Sequence, residues 1–132
     1  MRAEEHWEKA ACLEASRAKG MNDRNDYELV IWSCIQGGAH LANVILHGRG
    51  ITGDNQDQIH SDTPEMKQEL PRDITEILAV LKSIENFGPR FVRGIEPIKP
   101  EVVRSCLDAY EKVKALAKKS LREHEELNAR KV

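Results

Sequence analysis

Five side chains that hydrogen-bond without a fixed charge lie in register along one stretch: Ser33, Gln36, His40, Asn43 and His47. Their spacing is three, four, three and four residues. At about 100° per residue on an α-helix they fall within roughly 80° of one another, so they form one polar line. From Leu29 to His47 there is no Asp, Glu, Lys or Arg. A solvent face normally carries such residues, so this helix should be central, with its polar row turned toward an internal seam, a dimer interface or a pocket. As a seam, the row would hydrogen-bond neighbouring helices and fix their packing. As a site, His40, Asn43 and His47 would bind a ligand together with His60 and with Asp57 or Asp62 of the following loop. In that case His47 and His60 are the candidates for proton transfer, because an imidazole titrates near neutrality.

A metal ion is a third use of such residues. His40 and His47 are two turns apart, about 10 Å along the axis, too far to share an ion unless the side chains converge. His47, His60 and Asp62 could form a three-ligand set, but no His-Glu-x-x-His or Glu-x-x-His occurs, so no metal or other cofactor is assigned. Gly37-Gly38 interrupts the same helix, and each Gly costs about 0.5–1 kcal/mol against Ala there. Close approach of another backbone, room for a ligand or a kink would offset that.

A second cluster is basic. Arg90 and Arg93 flank Phe91-Val92, with Arg49, Arg72 and Lys99 elsewhere in the chain. Arginine suits bidentate phosphate or carboxylate binding. Phe91 either stacks on a ligand ring or plugs the core between two solvated arginines. No Gly-x-x-x-x-Gly-Lys or Gly-x-Gly-x-x-Gly is present. Cys12, Cys34 and Cys106 are odd in number and widely spaced, so they read as small core hydrophobes.

Four helices must position these groups. The first runs from about Ala3 to Lys19, with Trp7, Ala10, Ala11 and Ala18 on one side and Gly20 as its stop. The second runs from Asp26 to His47 and is stopped by Gly48-Arg49-Gly50. A long polar connection, Ile51 to Leu70, follows, and loops of that length are often functional. Pro71 opens the third helix, where Ile74, Ile77, Leu78, Leu81 and Ile84 keep three-and-four spacing. Pro100 opens the fourth, with Val103, Cys106, Tyr110, Val113 and Ala117 as its stripe. From Lys118 to Val132 the chain is almost wholly charged and should fray. The expected fold is an all-α, antiparallel four-helix up-and-down bundle, with residues 1–132 as one domain.

The chain has 132 residues, 40% of them hydrophobic and 32% charged, with a formal charge of -2. Such a chain folds around one core and exposes about 7,000 Å². The charge argues against broad nucleic-acid binding, though not against a local basic pocket. No apolar run approaches the 18 or more residues that span a bilayer, and the charged N-terminus has no apolar signal core, so a cytoplasmic protein is expected.

The order of features resembles the HEPN superfamily of small helical bundles: Trp7-Glu8-Lys9-Ala10 on a short helix, a long central helix rich in small residues and ending in a His, a connection with His60-Ser61-Asp62, an Arg-bearing link, and a Pro-started helix with Ala109 and Tyr110. The resemblance spans about Ala3 to Lys118. It implies a homodimer that binds RNA or a nucleotide, or that pairs with a nucleotidyltransferase partner protein. Catalytic members carry an Arg, four to six residues and a His. Here Arg2–His6, Arg49–His60 and Arg122–His124 all miss that spacing, and Arg93 stands where a His would follow. The expected function is therefore a non-catalytic binding or partner module. The alternatives are a metal-independent ribonuclease with a rearranged His/Arg site and a DinB-like metal-binding bundle.

Overall fold

The computed structural model describes residues 1–20, 26–58, 61 and 69–130. They form four helices: α1 (Ala3–Gly20), α2 (Tyr27–Gly48), α3 (Arg72–Glu85) and α4 (Pro100–Arg130). No strand occurs among the described residues. Contacts between helix ends fix an up-and-down order. Near the start of α1, His6 meets His47 at the end of α2, whereas Arg17 near the end of α1 donates to Ser33 near the start of α2. Arg49, just past α2, pairs with Asp73 at the start of α3, and Asp73 accepts from Ser120 far along α4. The chain is an all-α bundle.

α2 is the central rod and packs on α1, α3 and α4. Its apolar residues Ile31, Cys34, Leu41, Ile45 and Leu46 are at most 1% exposed. α3 brings Ile74, Ile77, Leu81 and Ile84, and α4 brings Cys106, Tyr110, Val113 and Ala117. α1 adds little to this core. Among the described residues Ala10 is its one buried aliphatic side chain, with Trp7 partly covered beside it. α1 is held instead by polar contacts: Tyr110 Oη and Lys114 Nζ both donate to Glu14, at 2.6 and 2.9 Å, and the Arg17 guanidinium lies 4.5 Å over the Tyr110 ring.

Several expectations are corrected. Gly37 and Gly38 make room for side chains rather than for a backbone. A Cβ on Gly37 would stand 2.9 Å from Tyr110 Cε2, and one on Gly38 the same distance from Leu81 Cδ1. Cys12 is exposed, because it lies on the outer side of α1, while Cys34 and Cys106 are core residues. The charged run after Lys118 forms the solvated end of α4. It stays helical to Arg130 and overhangs the much shorter α3, which helps explain an exposed surface of 8576 Å² rather than about 7,000. α2, with 22 residues, is long and apolar enough to cross a membrane by length and composition, contrary to the expectation that no apolar run comes near that length. In the bundle 67% of its most apolar 18-residue stretch is buried. Phe91 is 5% exposed and plugs the core from a π-helical turn, Gly88–Val92.

Candidate metal centre

The polar row of α2 is covered within the chain itself. Ser33 is buried, accepting from Arg17 at 3.2 Å and donating to the Val30 carbonyl at 2.8 Å. Asn43 is 2% exposed and clamps the loop. Its Nδ2 donates to the Gln58 carbonyl at 2.7 Å, and its Oδ1 accepts from the Gln58 amide at 2.8 Å. This two-point grip on backbone holds the preceding residue, Asp57, over the end of α2. Gln36 is the exception in the row and stays exposed.

Three ring-bearing residues gather under that loop. His6 of α1 lies between His40 and His47, with ring centroids 5.1 and 5.2 Å away. His6 Nε2 and His47 Nε2 each lie 2.8 Å from one atom, Asp57 Oδ1. The far side of each ring is also engaged: His6 Nδ1 lies 2.8 Å from His40 Nδ1, and His47 Nδ1 lies 2.8 Å from Thr52 Oγ1. The two imidazoles are 2% and 1% exposed and the carboxylate 37%. The Met1 ammonium stands 3.4 Å from the same carboxylate oxygen.

Electrostatics follow from this geometry. Burial alone would push the Asp57 carboxyl up, but the hydrogen bonds from His47 and His6 prevail and hold it at about 2. Asp57 is therefore a carboxylate at any pH near neutral. Burial, then the neighbouring His6 and Lys9, push the His40 imidazole below its ordinary value. It is neutral at pH 7, and a neutral imidazole can accept an N–H. Each Nε2–H donates to Asp57, so His47 Nδ1 accepts from the Thr52 hydroxyl and His6 Nδ1 from His40 Nδ1–H. With an ion between them the ring protons would sit on Nδ1, where His40 Nδ1 and Thr52 Oγ1 can accept them, and both Nε2 lone pairs would face the ion.

His6 Nε2, His47 Nε2 and a carboxylate oxygen of Asp57 all lie within 4.8 Å of one another. Ligand atoms at about 2.0–2.2 Å from an ion sit roughly 3.0–3.6 Å apart. The two 2.8 Å pairs need to open only slightly to admit one. A ligating His usually gives its other ring N–H to an acceptor, which fixes tautomer and ring angle, and both acceptors are in place here. Two imidazoles and one carboxylate suit Zn²⁺ or Fe²⁺ and leave coordination positions open. Beside them a small cleft of about 130 Å³ is lined by Gln36, His40, Asn43 and Asp57.

Of the residues expected to form a site, the structure brings together His40, Asn43, His47 and Asp57. His60 and Asp62 lie outside the described residues. Arg90 and Arg93 belong to another place, the turn after α3, where Arg90 is committed to Glu96 through two hydrogen bonds of 3.0 and 2.8 Å. His6 and Thr52 are the members that sequence reasoning missed. The signal for His6 was its position four residues before Ala10 and eight before Glu14, on the side of α1 that faces the bundle. Comparison of the chain with known protein-family models, with curated proteins and with solved structures gives no match.

Proposed function

We propose that this chain is a metal-binding helical bundle of the DinB-like kind, in which His6, His47 and Asp57 hold one divalent transition-metal ion. The observation that carries this reading is the convergence of two buried Nε2 atoms on one carboxylate oxygen, with both Nδ1 atoms already matched to outer partners. A purely packing role for the row would need each polar group satisfied, but would not need three separate segments to aim at one point. The ion would act as a Lewis acid on water or a small ligand entering past Gln36.

The test uses protein purified without a His-tag and stripped with chelator. Titration with Zn²⁺ should show one ion per chain. Cobalt(II) should give a visible spectrum typical of nitrogen and oxygen ligands at low coordination number. His47→Ala and Asp57→Asn should each weaken Zn²⁺ binding by more than about 100-fold, beyond what loss of an outer partner does. Absence of stoichiometric binding, or equal binding by the variants, would overturn the reading.

A HEPN-like binding module is a second reading. It is favoured by Leu29 and Trp32, which are 49% and 46% exposed near the start of α2 and offer an apolar face to a second copy or a partner protein. Light scattering at twice the 15.0 kDa chain mass would support it, and a monomer would refute the dimer. Cleavage of tRNA by metal-free protein that vanishes in His47→Ala would instead favour the ribonuclease.

A further inference from the structure

The line of side chains on α2 does not stop at Gln36. Trp32 lies four residues before it, so Trp32, Gln36 and His40 share one face of the helix over about 12 Å. Gln36 lines the cleft beside the His cluster and also a larger groove of about 370 Å³. That groove runs between α2 and the turn after α3, along Trp32, Ile35, Gln36, Glu85, Val92 and Arg93. The two spaces therefore meet at one exposed amide.

The groove combines three kinds of surface. Trp32 offers a large ring, 46% exposed on a helix that is otherwise mostly buried. Ile35 and Val92 are partly buried apolar walls packed on the core. Arg93 supplies the charge. It makes no ion pair among the described residues, whereas Arg90, three residues earlier, is occupied by Glu96 and lies 4.9 Å over the Phe91 ring. The carboxylate of the groove, Glu85, is occupied on both oxygens by Ser61, through the amide at 2.6 Å and the hydroxyl at 3.0 Å. Arg93 is held in place from below, because its own amide donates to the Gly88 carbonyl at 2.9 Å and Phe91 anchors the turn in the core. Phe91 plugs the core, and the flat ring that faces this groove is that of Trp32.

We infer that this groove is the ligand arm of the metal centre and takes a small anionic compound with a flat apolar body, its carboxylate or phosphate on Arg93, its ring against Trp32 and its far end directed past Gln36 toward the His cluster. The last part rests on the metal reading, while the groove stands on its own residues. The volume suits a compound of a few rings' size. A groove whose one arginine makes no ion pair among the described residues, in a chain of net charge -2, fits a single anionic group rather than a polyanionic strand, which needs several cations in a row.

Trp7→Phe leaves Trp32 as the one tryptophan, since the chain has two. Its fluorescence then reports the groove directly. The probes are 4-nitrophenyl phosphate and 4-nitrobenzoate, with nitrobenzene as the uncharged control. Saturable quenching by at least one anion is expected, weakened tenfold or more by Arg93→Ala and partly restored by Arg93→Lys, with nitrobenzene unaffected by either change. Which anion binds more tightly separates a phosphate from a carboxylate ligand. Loading the protein with Zn²⁺ should tighten anion binding, and His47→Ala should abolish that gain. Quenching that never saturates, or that is indifferent to Arg93, would overturn the groove. Arg93-dependent binding that ignores Zn²⁺, in protein shown to bind Zn²⁺, would overturn its link to the metal centre. Failure of the Zn²⁺ titration itself, with anion binding intact, would count against the metal reading alone.

Discussion

At the scale of single residues, Asn43 decides whether the loop can present Asp57. It is buried, and its amide group makes three hydrogen bonds, two to Gln58 and one of 3.0 Å to the Ala39 carbonyl. Asn43→Ala should cost about 1–3 kcal/mol of stability, because the Gln58 amide and carbonyl lose their partners. It should also weaken Zn²⁺ binding by roughly 10- to 100-fold without removing a ligand. Chemical denaturation and metal titration on the same sample would check both. The spacing of Ser33, Gln36, His40, Asn43 and His47 made this row legible in the sequence. The identity of its partners was not, because helical spacing orders residues along one helix and is silent about the register between two. His6 and Asp57 therefore meet His47 through packing, at sequence separations of 41 and 10.

Among the elements, α2 was legible because its lack of charge demanded a central position. Its glycine pair was legible as a packing feature, but not what filled the space. The two positions should respond differently to alanine. At Gly37 the new Cβ meets the rigid, fully buried ring of Tyr110, so overpacking of about 1–3 kcal/mol outweighs the gain of about 1 kcal/mol in helix propensity. At Gly38 it meets the terminal methyl of Leu81, which can rotate. Gly37→Ala should therefore melt lower than Gly38→Ala by calorimetry.

The junction of α2, α3 and α4 titrates. Burial would raise the Asp73 carboxyl, but hydrogen bonds from Ser120 and Arg49 and the Arg49 charge lower it below its ordinary 3.8. A carboxyl depressed in the folded state stabilises the fold above pH 3.8, and that contribution disappears as pH falls through its folded value. Thermal melts from pH 6 down to pH 2 should show a steeper acid loss for the native chain than for Asp73→Asn.

For the molecule as a whole, four helices and a one-core bundle were readable from periodicity, capping glycines and prolines. The length of α4 was not, because a run of mixed charge reads equally as a frayed end or as a solvated helix. The overhang gives a prediction of its own. Amides beyond Leu121, with Leu127 55% exposed, should exchange with deuterium far faster than those from Val103 to Ala117, whose stripe is buried. The proposed metal binding should register globally too, since the three candidate ligands come from α1, α2 and the loop after it. Zn²⁺ at about 100 times its dissociation constant should add roughly 2.7 kcal/mol and raise the melting temperature, an effect absent in His47→Ala.

The thin apolar footing of α1 has a consequence for how this molecule would come apart. Its hold rests on Ala10, on Glu14 and Arg17 at one end and on His6 at the other. With the proposed ion removed by chelator, the His6 end should be released first, so α1 should peel away as a flap and leave α2, α3 and α4 as a three-helix remnant that keeps nearly all the aliphatic interior. Protease cuts within α1, appearing under chelator before any loss of the remnant, would be the signature of that order.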